Sequence, residues 1–492
     1  MEITFDKYLP DYSPKTGQMI KALNVIPKRR KLLPALNDTA ISAGAAAGTP
    51  LVLFSVRDND GNVKTFVGTS TKLYRLDSTT LTDQSRIAYT ASLWDYSQYG
   101  EALILCDNTV IEYKLDFTAA GNFSNLVATT GTAPTAAATS AIFKDQLFLG
   151  YTKEGGVLYP RRIRRTAKGS FTTFGSPGAG YKDLESFGED VISLVTIGDH
   201  LLAYMTNSIW RVYETGAPFY FGYDRVVTGI SLIPGAVHSV VQVDKYLHYV
   251  LGNGEVYKVT SQDVEGIGAG IRTTVLDQID TTKKNITHRI DHLNKVITWQ
   301  YASTSSPSGN PDKQLLYNYE EDRFTETDID DYCVGTIFSP GYVINDLDNF
   351  GTYIDDVSQH TMDSSFWKGG NRIEGCIPGV NGANEDYVAT PTGTSRNGTV
   401  ETGEFFLKDS HQIIKGRPVI EQPVGTVTST LSGRDHDGAA YNIDQKTMKS
   451  DGRVDHRLTM RQGKIKIETT GAHEGLRGFF VDDDDISLVG DR

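Results

Sequence analysis

Histidines four residues apart are the first candidates for chemistry in this sequence. His288 and His292 have the spacing that places two side chains on one face of a helix, an arrangement that metal sites use. No third ligand or general base is evident near the pair. We therefore predict no metal site here and assign neither histidine a catalytic role.

Two acidic segments look like the start of a calcium-binding loop: residues 58–61 (Asp-Asn-Asp-Gly) and residues 435–438 (Asp-His-Asp-Gly). Neither carries the glutamate that closes an EF-hand loop. Asp and Asn before Gly are also the usual residues of hairpin turns. We predict turns at both places and a solvated loop for the acidic run at residues 482–485.

The motifs of common enzymes are absent from the sequence, which contains no GxxxxGK[ST], no HExxH and no GxSxG. Residues 266–270 (Gly-Ile-Gly-Ala-Gly) resemble part of a dinucleotide-binding loop, but no helical pattern follows them. A loop between structural repeats is the better interpretation. The sequence predicts no catalytic residue, no cofactor and no enzymatic activity.

Two basic runs stand out against an acidic chain. They consist of Lys28, Arg29, Arg30 and Lys31, and of Arg161, Arg162, Arg164 and Arg165. The chain has 48 Lys and Arg against 61 Asp and Glu, and its net charge of -13 argues against a protein whose whole surface binds nucleic acid. Because Arg binds carboxylates as readily as phosphates, we predict that both runs contact an acidic neighbouring subunit, with DNA as the alternative.

The three cysteines indicate neither a disulfide framework nor a zinc site. Cys106, Cys333 and Cys376 lie far apart without CxxC spacing, so we expect buried, free thiols. The N-terminus lacks the basic start and apolar stretch of a signal peptide, and no apolar run approaches the roughly 20 residues that span a bilayer. We expect a soluble protein synthesised in a cytoplasm.

One hairpin pattern recurs along the chain and indicates how these residues are positioned. Each copy is an apolar strand, a tight polar turn, and a strand centred on an aromatic residue followed by a basic one. Clear copies occupy residues 66–76, 104–115, 203–213 and 249–259, and weaker ones residues 147–159, 296–319 and 350–354. The alternation predicts that the aromatic side chain packs inward and the basic one faces water.

Successive copies begin roughly 40 to 55 residues apart, the period of four-stranded propeller blades. We predict an all-β fold, a β-propeller-like repeat of about six or seven blades over residues 50–400. Residues 1–49, rich in Pro and Lys/Arg and ending in small residues, are expected to form an extended arm and linker, and residues 401–492 a C-terminal β-sheet or β-sandwich module. The alternative is a pair of β-sandwiches with similar hairpins.

Three groups of motifs carry a resemblance to a known family. The first is residues 22–27 (Ala-Leu-Asn-Val-Ile-Pro) with residues 33–36 (Leu-Pro-Ala-Leu). The second is residues 66–74, which contain Val-Gly-Thr and Leu-Tyr, with residues 94–101 (Trp-Asp-Tyr-Ser-Gln-Tyr-Gly-Glu). The third lies in residues 451–481 and includes Asp-Gly-Arg-Val and Leu-Arg-Gly-Phe.

With these motifs the chain resembles the nozzle proteins of short-tailed bacteriophages, also called tail tubular protein B or packaged-DNA stabilisation proteins. The resemblance spans nearly the whole chain, and it departs at Lys464, where Arg often stands, and in the acidic tail. It implies a virion tail protein made in the host bacterial cytoplasm and assembled as a six-fold ring below the portal-adaptor complex. Such a ring would contact other tail proteins or fibres, retain packaged double-stranded DNA and conduct it into the host.

Two other functions remain open. A polysaccharide-binding or polysaccharide-degrading virion propeller predicts carboxylates converging on the axis and exposed tryptophans there, whereas Trp94, Trp210 and Trp299 occupy positions typical of a core. A cellular propeller scaffold predicts a monomeric ring without a need for the arm.

Overall fold

The computed structural model describes residues 2–12, 17–185, 188–339, 370–379, 385–481 and 486–488. These residues form 40 β-strands and three short 3-10 helices, Val237–Ser239, Ala269–Ile271 and Leu276–Gln278. The five strands nearest the N-terminus are β1 (Glu2–Thr4), β2 (Met19–Leu23), β3 (Val25–Lys28), β4 (Lys31–Pro34) and β5 (Thr39–Ala40).

Four antiparallel blades of four consecutive strands follow. Blade 1 comprises β6 (Pro50–Arg57), β7 (Val63–Thr69), β8 (Leu73–Asp77) and β9 (Thr80–Asp83). Blade 2 comprises β10 (Asp95–Tyr99), β11 (Ala102–Cys106), β12 (Ile111–Lys114) and β13 (Ser124–Asn125). Blade 3 comprises β14 (Ala136–Phe143), β15 (Gln146–Glu154), β16 (Val157–Arg165) and β17 (Gly180–Asp183). Blade 4 comprises β18 (Val191–Ile197), β19 (His200–Met205), β20 (Ser208–Gly216) and β21 (Tyr220–Thr228).

Three further blades complete the set. Blade 5 comprises β22 (Val240–Asp244), β23 (Leu247–Leu251), β24 (Val256–Val259) and β25 (Val264–Gly266). Blade 6 comprises β26 (Thr287–Asp291), β27 (Val296–Tyr301), β28 (Lys313–Asn318) and β29 (Arg323–Thr327). Blade 7 contains β30 (Asp331–Phe338), β31 (Arg372–Pro378) and β32 (Ala389–Thr390), and its fourth strand is β5.

The remaining strands form the C-terminal module. They are β33 (Gly398–Thr402), β34 (Phe405–Ile413), β35 (Arg417–Glu421), β36 (Val427–Arg434), β37 (Asn442–Thr447), β38 (Leu458–Thr469), β39 (Gly475–Phe480) and β40 (Ile486–Leu488).

Contacts between first strands join blades 2 to 5 and blades 6, 7 and 1. The helix Val237–Ser239 before blade 5 contacts β26 of blade 6, and Phe54 of β6 stacks on Tyr96 of β10, so the blades close a ring. Blade 7 reaches blade 1 where Phe338 N donates to Ser55 Oγ at 3.1 Å. At Gly335 the two strands lie so close that a Cβ atom would come within 1.9 Å of the Leu53 carbonyl oxygen, so only glycine fits. The prediction of an all-β, propeller-like repeat is confirmed, and the described residues contain seven blades.

The N-terminal segment differs from the extended arm that the sequence predicts. Strands β1 and β4 pair with β39, β2 pairs with β33, and β5 pairs with β32 of blade 7. The reason is its apolar side chains: Ile3, Met19 and Leu32 are fully buried in the largest core cluster. Burying them stabilises the segment against the rest of the chain.

The C-terminal module shares a sheet with the propeller. Strand β2 lies between β29 of blade 6 and β33 of the module, so an 11-stranded sheet runs from one into the other. One core cluster also joins them, containing Trp299 of blade 6 together with Ile465 and Phe479 of the module. The module is therefore packed as a continuation of blade 6.

The recurring hairpins occupy the blades, but the basic residue of the pattern does not always face water. Arg75 on β8 and Lys114 on β12 are 7% and 6% exposed. The predicted outward orientation is wrong for these two residues, because each finds oxygen acceptors between blades 1 and 2. Tyr74, the aromatic residue before Arg75, is buried as predicted.

Candidate functional site

The axial cavity, of about 340 Å³, lies where the first strands of the blades converge. Its polar and aromatic lining includes Asp95, Tyr96, His238, His288, His292 and Arg372. It is the place where a propeller enzyme or lectin would hold a ligand, so the partners of its polar groups decide what it can bind.

Asp95 is the one acidic residue among the described lining of the axial cavity, and it is only 8% exposed. Its Oδ2 accepts the backbone N–H of Ser140 at 2.8 Å, which ties blade 2 to blade 3. Burial raises the pKa of Asp95, while the nearby His238 opposes that rise. A single buried carboxyl group does not supply the acid and base pair that glycoside hydrolysis uses.

The histidines at the axis are engaged with backbone oxygens. His238 Nε2 donates to the Trp94 carbonyl oxygen at 2.6 Å, and His288 Nδ1 donates to the His238 carbonyl oxygen at 2.8 Å. Burial lowers the pKa of His288 to about 4, so this ring is neutral at pH 7. The chain of contacts links blade 2, the connection before blade 5, and blade 6.

His292 lies in the turn after β26, and its Nε2 accepts a hydrogen bond from Arg372 Nη1 at 2.7 Å. Burial, followed by the charge of Arg372, lowers the pKa of His292. His288 and His292 thus line one cavity from a strand and a turn, not from a helix, and they bind different partners. The described group with metal-ligand spacing contains neither of them.

The first basic run forms the turn of the β3–β4 hairpin. Arg29 and Arg30 are exposed at its tip with φ of 52° and 60°, the left-handed conformation of a tight turn. Lys28 Nζ lies 3.1 Å from Asp291 Oδ2, and Lys31 forms an ion pair with Glu421. Only the two arginines of this run are exposed.

The second basic run lies on β16 and is largely used within blade 3. The guanidinium of Arg162 is stacked between Tyr159 and Tyr181, at 3.7 and 3.9 Å from the ring centroids. It also donates to both carboxylate oxygens of Asp183, at 2.7 and 2.8 Å. Arg165 Nε donates to the Gly178 carbonyl oxygen at 3.0 Å.

Arg162 and Arg165 are each 8% exposed, so the interface role predicted for them has no accessible side chain to support it. Arg161 and Arg164 are half-buried, and Arg164 Nη2 donates to the Thr132 carbonyl oxygen at 3.3 Å. Sequence reasoning missed this burial because the tyrosines that cover Arg162 become its neighbours only when the blade folds.

A group of two carboxyls and a thiol, with Asp331 and Cys376 buried and Asp38 half-buried, links the residue before β5 to β30 and β31 of blade 7. Ligand atoms of Asp38, Asp331 and Cys376 lie within 4.8 Å of one another, and the Cys376 thiol donates to Asp38 Oδ1 at 3.0 Å. Burial, then the adjacent Asp38 carboxylate, raises the pKa of Asp331 well above its usual range. The arrangement fits two carboxyls sharing a proton. Asp38 and Asp331 are far apart in the sequence, so no sequence pattern predicts that they lie together.

A Ser-His-Asp arrangement occurs in the C-terminal module. His456 Nε2 lies 3.0 Å from Ser429 Oγ, and His456 Nδ1 lies 3.2 Å from Asp444 Oδ2. These are the contacts of a hydrolase triad. Ser429 and His456 are fully buried, so no substrate reaches the hydroxyl group, and the three residues hold β36, β37 and the segment before β38 together.

Most of the remaining sequence predictions fall on turns and loops. Residues 58–61 form the β6–β7 turn, where Asp58 accepts hydrogen bonds from the backbone and side chain of Asn62. Residues 435–438 lie in the turn after β36. Of residues 266–270, Gly266 ends β25 and the others begin the connection from blade 5 to blade 6. The weak repeat at residues 350–354 and the acidic run at 482–485 lie outside the described residues.

The expected core positions of the cysteines and of three tryptophans are confirmed. Cys106, Cys333 and Cys376 are buried and unpaired by disulfides. Trp94 and Trp299 are fully buried, and Trp210 is 8% exposed. In the part of the chain that the structure describes, no helix has the length and hydrophobicity to cross a membrane.

Comparison with known proteins gives distant structural likenesses only. No family model and no curated protein matches the sequence. A catalytically inactive variant of virginiamycin B lyase from Staphylococcus aureus with quinupristin has a TM-score of 0.37 and 10% identity, covering 62% of this chain and 94% of that one.

Two other solved structures show similar levels of likeness. A putative 6-phosphogluconolactonase from Bacteroides uniformis has a TM-score of 0.34 and 14% identity, covering 56% of this chain and 82% of that one. PorZ from Porphyromonas gingivalis, a surface component of the type-IX secretion system, has a TM-score of 0.34 and 11% identity, covering 83% of this chain and 46% of that one.

Proposed function

We propose that this chain is a structural subunit of a short-tailed phage tail, a nozzle that forms a ring below the portal-adaptor complex, retains packaged DNA and forms the conduit for its ejection. The observation that supports the proposal is the position in the fold of the motifs through which the chain resembles nozzle proteins. Residues 22–27 and 33–36 belong to the N-terminal strands, and residues 451–481 belong to β38, β39 and the segment before them.

These two distant parts of the chain pair directly. Strand β4 pairs with β39, and β2 is one strand away from β38, with β33 between them. The motifs that define the resemblance at the two ends of the chain are therefore one structural unit. A compact module built from both ends and continuous with blade 6 suits a part that docks on a neighbouring ring.

The axial cavity indicates that each propeller is part of the wall of the conduit and that DNA does not pass along the propeller axis. Its volume of about 340 Å³ is far too small for duplex DNA, and its lining binds neighbouring blades. In the proposed hexameric ring, the DNA conduit lies between copies of the chain. The net charge of -13 suits sliding DNA, because Lys and Arg contacts to phosphate add affinity that retards passage.

The polysaccharide alternative is less well supported by the same geometry. The described axial lining holds a single buried carboxyl group, and the three described tryptophans lie in the core. A polysaccharide site needs accessible aromatic rings and, for hydrolysis, two carboxyls. The other alternative, a cellular propeller scaffold, predicts a monomer that does not bind phage tail proteins.

The test is the mass by light scattering after size exclusion, for the chain alone and mixed with the portal-adaptor complex of its own virion. We expect co-elution as a symmetric ring. Arg29→Asn with Arg30→Asn should weaken that assembly, since Asn tolerates the left-handed turn while removing both exposed charges.

The matched control is Lys153→Asn with Lys168→Asn, which removes two exposed charges from blade 3. This control should assemble normally. A persistent monomer that ignores the adaptor would reject the nozzle function and direct the next assays to glycans. Normal assembly of the Arg29 and Arg30 variant would reject only the predicted interface.

A further inference from the structure

A second cavity, the seam cavity, lies where the β3–β4 hairpin, blades 6 and 7, and the loop before β39 meet. Its volume is about 290 Å³. Most of its wall is apolar, formed by residues that include Ile26, Leu33, Leu36, Leu316, Ile329 and Pro391. Ala472, at the edge of this wall, is exposed, which places an opening to solvent there.

Two polar side chains in the wall have nitrogen atoms without hydrogen-bond partners. Arg289 is 3% exposed, and its Nε and Nη1 atoms have no hydrogen-bond acceptor, although Nε lies 3.3 Å from Glu374 Oε1. His473 is 6% exposed, and neither of its ring nitrogens has a hydrogen-bond partner. Buried donors without acceptors are rare and costly in folded proteins, so both groups indicate a missing partner.

The unused hydrogen-bond donors of the seam cavity favour a partner that accepts hydrogen bonds. Among its described lining residues, Lys28 is paired with Asp291 and Arg289 lies beside Glu374, so both cationic charges already have a counter-charge. Burial lowers the pKa of His473 to about 4, so its ring is neutral at pH 7 and can donate from one nitrogen and accept at the other. Gln314, the neighbouring amide, is already occupied by Asp331 and Thr327.

We propose that the seam cavity binds a small carboxylic acid with an apolar body, whose carboxylate accepts hydrogen bonds from Arg289 Nη1 and His473. A carboxylate is the strongest acceptor for a buried guanidinium. An apolar cavity of roughly 150 Å³ takes up benzene, so this cavity has room for a body about twice that size. The site is separate from the axial cavity, and of the first basic run only Lys28 lines it. The proposal does not depend on the nozzle function.

The test is calorimetric titration of the full chain with octanoate and with octan-1-ol, which shares the apolar body but lacks the carboxylate. We expect one octanoate per chain, bound at least tenfold more tightly than octan-1-ol, because a hydrogen bond to a charged group accounts for about that factor. Arg289→Met, which keeps the side chain's bulk, should abolish the preference for the acid.

Ala472→Trp should block the opening and abolish binding of both compounds. Because Ala472 is exposed, this variant stays informative if Arg289→Met does not fold. Ala440→Trp, at another exposed alanine, is the matched control and should bind octanoate normally. Absence of saturable binding, equal affinity for the two compounds, or binding unchanged by Ala472→Trp would each overturn the proposal.

Discussion

Arg75 Nη1 in blade 1 donates to the carbonyl oxygen of Ala119 in blade 2 at 2.6 Å. The same nitrogen also lies 2.9 Å from the Thr118 carbonyl oxygen and 3.2 Å from that of Phe117. These oxygens belong to the loop between β12 and β13. One buried guanidinium therefore supplies the hydrogen-bond donor for three carbonyl groups in a loop of the next blade.

Replacing this residue, Arg75→Met, should lower the free energy of unfolding by about 2 to 3 kcal/mol, because it leaves carbonyl groups without a charged donor. Urea denaturation monitored by tryptophan fluorescence measures the change. Arg211→Met is the control: its partner Asp224 is 40% exposed, and such surface pairs contribute about 0 to 1 kcal/mol. Equal losses in the two variants would contradict the role assigned to Arg75.

The Asp38 and Asp331 pair predicts a loss of stability at alkaline pH. Because burial and Asp38 raise the pKa of Asp331, its contribution is complete below the pKa of the unfolded carboxyl and is lost as the pH rises through the folded one. Asp331→Asn cannot lose a proton and still accepts the Gln314 hydrogen bond. Its unfolding free energy should therefore fall less than that of the wild type between pH 5 and pH 9.

Urea titrations at several pH values measure this difference. The exposed neighbour Asp328 supplies a control, Asp328→Asn, which should follow the wild-type pH profile. Parallel profiles for wild type and Asp331→Asn would rule out the shared proton.

His288 predicts the opposite dependence, a loss of stability in acid. Burial lowers its pKa to about 4, so the stability it supplies is present at neutral pH and is lost as the pH falls from about 6.5 towards 4. The size of this loss is roughly 3 kcal/mol at most. His288→Asn retains a donor for the His238 carbonyl oxygen but does not titrate.

Thermal unfolding at pH 7 and pH 4.5 should show a smaller acid shift for His288→Asn than for the wild type. His436→Asn, in an exposed turn, should shift as the wild type does. A full acid shift in His288→Asn would assign the acid sensitivity to other groups, among them the buried His248 and His473.

The blades could be predicted from the sequence because their signals are local. Asn108 and Gly254 take φ of 72° and 74° in the hairpin turns, the conformation that their residue types favour. Strand β5 could not be predicted as the last strand of blade 7, since two residues between loops carry no pattern of their own. Its position depends on contacts with residues around Val388.

The candidate sites were harder to predict because their members come from distant parts of the chain. The spacing of His288 and His292 marks them as candidates, yet their roles depend on the His238 carbonyl oxygen and on Arg372, which no motif encodes. The sequence predicts that the basic run on β16 contacts a partner, whereas Arg162 of that run is stacked between Tyr159 and Tyr181 within its own blade. Charge alone does not distinguish a surface contact from a buried cation.

The pairing of β5 with β32 also sets an order for biosynthesis. The ribosome makes β5 about 350 residues before its partner, which at roughly 5 to 20 residues per second is a delay of tens of seconds. Strand β1 waits still longer for β39, whereas β3 and β4 can pair with each other at once. Strand β5 must therefore stay unpaired while six blades form, and blade 7 is completed only after β32 has been made.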